Sequence, residues 1–178
     1  SILTSSKGSL SIRRYWQPDY KQTKLGREEA SDAIAQALRD SVRLHMEEAT
    51  DHGRRYALFL SGGLDSRALL AAAEGPLASV TTCLTPNNEV AVAHEVAKCA
   101  GSPFTYIARP PRPYDEYLED AVSLTSGQQL FTESHFLSYE SLLADHADCY
   151  FIGLGLDIFF GGLYLPKKPV RWLGRNAL

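Results

Sequence analysis

Apolar residues at Ala30, Ala33, Ile34, Ala37, Leu38 and Val42 recur every three to four positions. That matches the helical period of about 3.6 and predicts an amphipathic helix over 27–50. The pattern then changes. Residues 56–60 form a short, continuous apolar run that stops at Gly62-Gly63, as a buried strand does on entering a turn. Good helix formers fill the stretch from Arg67 to Glu74. The β-branched segment 78–84 reads as a second strand, and Pro86-Asn87-Asn88 opens a helix over 89–100. A third strand follows at 104–107, two helices at 113–124 and 133–145, and a fourth strand at 149–152. Strands alternating with helices at crossover-length spacing predict an α/β fold with a doubly wound parallel sheet. Ligands of such sheets sit beyond the carboxyl ends of the strands.

The turn after the first of these strands, Ser61-Gly62-Gly63-Leu64-Asp65-Ser66, carries the candidate chemistry. A strand turning through glycines into a helix directs free backbone N–H groups at one spot, where the helix dipole adds positive charge. Ser61 and Ser66 add hydroxyls, and Asp65 adds a carboxylate able to hold a metal beside a bound anion. Phosphate is the anion expected. Two better-known phosphate loops are excluded. The chain has no Gly-Lys pair for a Walker A loop, and Gly153-Leu154-Gly155 has Ile158 where a Rossmann fingerprint needs its third glycine.

The full hexapeptide behind an apolar strand resembles the pyrophosphate loop of the ATP pyrophosphatases, in the form found in asparagine synthetases and their relatives. A second segment, Tyr150-Phe-Ile-Gly153-Leu-Gly155-Leu-Asp157-Ile-Phe-Phe160-Gly161-Gly162, resembles the Gly-Glu-Gly-x-Asp-Glu-x-Phe-Gly-Gly stretch of the same family. Tyr15-Trp16 with Pro18 resembles the family's linker from a glutaminase domain, so the likeness runs from about residue 15 to 168. It implies a three-layer α/β/α, adenine nucleotide alpha hydrolase-like fold. It also implies ATP as substrate, its phosphates held by residues 61–66, with Mg²⁺ between Asp65 and Asp157. By the same resemblance Leu60, Cys83, Ile152 and Gly153 line the adenine and ribose pocket, and Glu133 and His135 lie near the acyl substrate as candidate proton acceptors. Read from residue type alone, Asp65 and Asp157 equally suit helix N-termini, Glu133 a helix start and His135 a surface position.

Departures from the family pattern bear on the product. Leu154 and Ile158 stand where asparagine synthetases carry glutamates, and neither side chain can bind a cation or take a proton. β-Lactam synthetases also replace this acid pair. The expected activity is therefore an ATP-dependent, AMP-forming amide ligase whose product is not asparagine, joining a small carboxylate to an amine or ammonia. A non-catalytic ATP-binding relative, asparagine synthesis itself and an RNA-modifying enzyme with the same loop are the alternatives. The family likeness further implies a glutaminase domain outside this chain and a longer helical region after Gly162. Residues 1–26 are thus expected as a linker, and 27–178 as a synthetase domain truncated at its C-terminal end.

Composition narrows the partners. Of 178 residues, 44% are hydrophobic and 22% charged, as in globular rather than disordered chains. A net charge of −3 gives no overall basic field to attract nucleic acid, and Lys167, Lys168, Arg171 and Arg175 read as a solvated run. No apolar run approaches the roughly 18 residues of a membrane span. The start lacks a secretory h-region, and Cys83, Cys99 and Cys149 are odd in number without a Cys-x-x-Cys. A cytoplasmic protein with reduced thiols is expected.

Overall fold

The computed structural model describes residues 1–17, 24–111, 114–128, 136–156, 170–172 and 175–177. The chain divides into two units, Ser1–Ala33 and Ile34–Leu178. In the first, β1 (Ile2–Ser6) and β2 (Ser9–Arg13) pair antiparallel, with Leu3 opposite Ile12 and Ser5 opposite Leu10. Lys7 and Gly8 both have positive φ, 48° and 78°, the pairing that a type I′ hairpin turn needs. This hairpin lies inside the segment expected to be linker. Helix α1 (Arg27–Asp51) crosses the division, and Glu28 and Glu29 in its first turn complement the helix dipole.

In the second unit β3 (Tyr56–Phe59), β4 (Ala78–Cys83), β5 (Phe104–Ala108) and β6 (Cys149–Phe151) form a parallel sheet in the order β5-β4-β3-β6. Alternation along the strands sorts the side chains onto two faces. Leu58 and Leu60 pack with Val42 of α1, Leu69 and Leu70 of α2 (Leu64–Ala72) and Ala93 and Ala97 of α3 (Asn88–Cys99). On the opposite face Ala57, Val80 and Ile107 pack with Ala147, and Leu143 of α5 (Glu140–His146) joins them. The fold is α/β with helices on both sides of a parallel sheet, the three-layer arrangement expected. A short antiparallel pair, β7 (Val170–Trp172) and β8 (Arg175–Ala177), completes the described elements. Among the described residues no helix is long and apolar enough to cross a membrane.

All four core strands and α1 fall within two residues of their expected ends. So does α3, where the Asn87 side chain accepts from the Glu89 and Val90 N–H groups at 3.0 and 3.2 Å and fixes the helix start. Two helical readings need correction. Segment 113–124 splits into a 3₁₀ turn, Tyr114–Tyr117, and α4 (Leu118–Thr125). Tyr117 offers no capping side chain there, and Ser126 ends the helix at a left-handed φ of 52°. Among the described residues of segment 133–145, a 3₁₀ turn at 136–138 precedes the seven-residue α5, which ends at His146. Between them stands Tyr139, 1% exposed, with a non-helical φ of −146°. Its ring is packed as core and its backbone interrupts the helix.

Asp148, at the start of β6, is clamped to the residue preceding β3. The Arg55 backbone N–H donates to the Asp148 carboxylate at 2.7 Å, and the Arg55 guanidinium donates to it at 3.1 and 3.3 Å. The same guanidinium donates to the Asp145 and Ala144 carbonyls at 2.8 and 2.7 Å. These bonds from Arg55, side chain first, hold the Asp148 carboxyl below its usual range. A folded-state pKa below the unfolded one stabilises fully above the unfolded value and is lost as pH falls through the folded value. Asp148→Asn is therefore expected to lower the urea midpoint at neutral pH. The gap to wild type should close on acidification through and below the ordinary carboxylate range. A gap that stays constant with pH would show that the charge on Asp148 contributes nothing.

Candidate functional site

Beyond β3 the chain leaves the sheet under tight control. The Leu60 N–H donates to the Val80 carbonyl at 2.9 Å, and the Thr81 hydroxyl donates to the Leu60 carbonyl at 2.5 Å. Gly62 then takes a φ of 72°, a left-handed conformation that side chains disfavour. A Cβ there would sit 2.9 Å from Val92 Cγ1 of α3. Gly63 is the N-cap of α2 and brings no side chain to cap it. The first helical bond runs from the Arg67 N–H to the Gly63 carbonyl at 3.2 Å, leaving the N–H groups of Leu64, Asp65 and Ser66 unused by the helix. With the dipole of α2 behind them, they are donors suited to an anion.

The two serines act mainly on the turn itself. Ser66 is 3% exposed; its Oγ accepts from the Ser61 N–H at 3.2 Å, donates to the Gly63 carbonyl at 3.3 Å and lies 3.1 Å from Ser61 Oγ. Ser61 Oγ also accepts from the Gly63 N–H at 3.2 Å. Ser66 therefore offers a ligand its backbone N–H, while its hydroxyl shapes the loop. Ser61, on the exposed side, keeps a hydroxyl that can turn outward.

The second motif reaches the same place from β6. A Cβ on Gly153 would lie 2.9 Å from Asp65 Cβ and 3.3 Å from the Ser66 nitrogen, so only glycine lets the two segments pass this closely. In the strand order, β3 is followed by β4 on one side while β6 flanks it on the other. The loop and Gly153 thus meet at the topological switch point, where doubly wound sheets bind ligands. A crevice of about 210 Å³ opens there, lined by Phe59, Leu60, Ser61, Thr81, Glu89 and Ile152 among others. A larger groove of about 640 Å³ between α2 and α3 is almost wholly apolar and shares no residue with the loop.

Leu60, Ser61 and Ile152 line the crevice, while Gly62, Gly63, Leu64, Asp65 and Ser66 form the turn that Gly153 abuts. Cys83 is not among the lining residues; its thiol donates to the Thr85 carbonyl at 3.0 Å. Asp157, Glu133 and His135 lie outside the described residues. Asp65 is half-buried, and among the described residues its carboxylate has no hydrogen bond or ion pair. A free carboxylate oxygen beside an anion cradle suits Mg²⁺, which is commonly held by one or two carboxylates together with phosphate oxygens. No cluster of three or more His, Cys, Asp or Glu able to hold a metal occurs among the described residues. Sequence reasoning missed Glu89, which reads as an ordinary acidic residue in a helix's first turn.

A doubly wound parallel sheet with helices on both faces and a glycine-rich turn at its switch point is the three-layer arrangement of adenine nucleotide alpha hydrolase-like domains. The asparagine synthase family model matches residues 33–177, most of the chain, and the chain belongs to that family. The family is one of ATP-binding ligases of the ATP-pyrophosphatase type. No curated protein matches the chain.

Proposed function

We propose that this chain is the nucleotide-activating domain of an ATP-dependent, AMP-forming ligase that makes an amide other than asparagine. The observation that supports it is the approach of Gly153 to Asp65 and Ser66, which brings the family's two motifs to one end of one sheet. The N–H groups of residues 64–66 bind the β- and γ-phosphates and stabilise the charge that develops on pyrophosphate as it leaves. A substrate carboxylate attacks the α-phosphorus, the bond to pyrophosphate breaks, and an acyl adenylate forms. An amine then attacks the acyl carbon, loses a proton, and AMP departs. Asp65 and Asp157 are the residues that would hold Mg²⁺, which supplies charge neutralisation on the phosphate oxygens. Leu154, 84% exposed beside Gly153, and Ile158 provide neither the charge nor the proton transfer of the glutamates found in asparagine synthetases. That points to a different acid or amine. Ammonia released by a glutaminase domain outside this chain is one source of the nitrogen, and the cytoplasm is the compartment proposed.

Calorimetric titration of the chain with a non-hydrolysable ATP analogue, with and without Mg²⁺ and against the GTP analogue, tests the nucleotide half. Adenine-selective binding that strengthens with Mg²⁺ is expected. Equal binding of both nucleotides, or none, would overturn this reading.

A further inference from the structure

The crevice contains an acidic side chain that the nucleotide reading does not yet use. Glu89 lies in the first turn of α3 and lines the space between the carboxyl ends of β3 and β4. Its backbone N–H is bonded to Asn87 at 3.0 Å, but its carboxylate has no hydrogen bond or ion pair among the described residues. The other polar side chains of the lining are largely occupied. The Thr81 hydroxyl is bonded to the Leu60 carbonyl, the Thr82 hydroxyl lies 3.4 Å from the Tyr139 hydroxyl, and Ser61 Oγ accepts from the Gly63 N–H. Among the described residues lining the crevice, Glu89 is the one charged side chain, and its carboxylate is uncommitted.

A carboxylate accepts hydrogen bonds and repels phosphate oxygens. A nucleotide in this crevice must therefore place its phosphates at the N–H groups of the loop and its hydrogen-bond donors at Glu89. Two neighbouring hydroxyls match two carboxylate oxygens. We infer that Glu89 receives the ribose 2′- and 3′-hydroxyls and makes the site selective for ribonucleotides over deoxyribonucleotides, an inference that rests on the ATP-binding reading above. An acidic residue near the end of the second strand serves the ribose in the same way in dinucleotide-binding sheets. Glu89 follows β4, the strand reached by the first crossover from the loop.

The test is calorimetric titration of the whole chain with the non-hydrolysable ATP analogue and its 2′-deoxy counterpart, in Mg²⁺. Hydrogen bonds to a charged acceptor lead us to expect about tenfold tighter binding of the ribose form by wild type. Glu89→Gln should lose part of that preference and Glu89→Ala nearly all of it, both by weaker binding of the ribose form. Glu95→Gln, which removes an exposed charge from the same helix outside the crevice, should keep the preference. Equal binding of the two sugars by wild type, or a preference that survives Glu89→Ala, would overturn the inference while leaving ATP binding intact. A Glu89→Ala effect on ATP against ITP, with the sugar preference unmoved, would overturn it in favour of contact with the base. Binding of neither sugar form would overturn the nucleotide reading and this inference together.

Discussion

A Gly62→Ala variant is expected to unfold at a clearly lower urea concentration than wild type, with a loss of about 2–5 kcal/mol from two additive sources. The first is the left-handed backbone at φ 72°, which costs an alanine roughly 1–2 kcal/mol. The second is contact: the new methyl would stand 2.9 Å from Val92 Cγ1 and 3.2 Å from Val92 Cβ, and overpacking of this kind costs roughly 1–3 kcal/mol. Against a typical domain stability of about 5–15 kcal/mol, that is a large fraction. Urea denaturation should show a lower midpoint with an unchanged slope. The two sources are separable. Val92→Ala, at a position already 46% exposed, removes the 2.9 Å contact with Cγ1 and should return most of the contact part when combined with Gly62→Ala, leaving the backbone part in place. A Gly62→Ala variant as stable as wild type would mean that the turn does not have this conformation.

Gly153→Ala should act differently, sparing the fold and disabling the site. Its methyl would lie 2.9 Å from Asp65 Cβ and 3.3 Å from the Ser66 nitrogen, against the turn that carries the anion cradle. The flanking residues can yield, because Ile152 is 53% exposed and Leu154 is 84% exposed. Relief therefore comes from residues 152–154 and the turn drawing apart. A displacement of about 1 Å is enough to cost roughly a hundredfold in a positioned site. Titration with the ATP analogue should register such a loss while the urea midpoint moves by no more than a few tenths of a molar, on the order of 1 kcal/mol over the usual slope. Unimpaired binding would mean that the approach of the two motifs is not needed to hold the nucleotide.

The parts of this structure that could be read from sequence are those whose signals are local and agree with one another. The period of α1, the apolar run of β3 ending at Gly62-Gly63 and the Asn87 cap of α3 each announce themselves within a few residues. The turn was legible for the same reason, since its glycines and serines are contained in its own six residues. What was not legible depends on partners distant in sequence. The β1–β2 hairpin is the local exception: β2 alternates but β1, Ile-Leu-Thr-Ser-Ser, does not, and Lys7-Gly8 is a weaker turn signal than Asn-Gly. Tyr139 breaks an otherwise helical stretch because the protein interior claims its ring. Nothing near Glu89 in sequence reveals that α3 brings it to a crevice shared with β3 and β6.

The Arg55–Asp148 clamp sits at the amino ends of β3 and β6, whereas the crevice opens at their carboxyl ends. A slip of β6 by one residue would carry Gly153 about 3.3 Å along the strand and exchange the faces of Tyr150 and Phe151. It would also break the three hydrogen bonds that Arg55 donates to the Asp148 carboxylate. The clamp thus works as the zero mark of a ruler. It sets the distance from which the second motif is measured out, so that Gly153, with no side chain to hold it away from Asp65, arrives at the correct division.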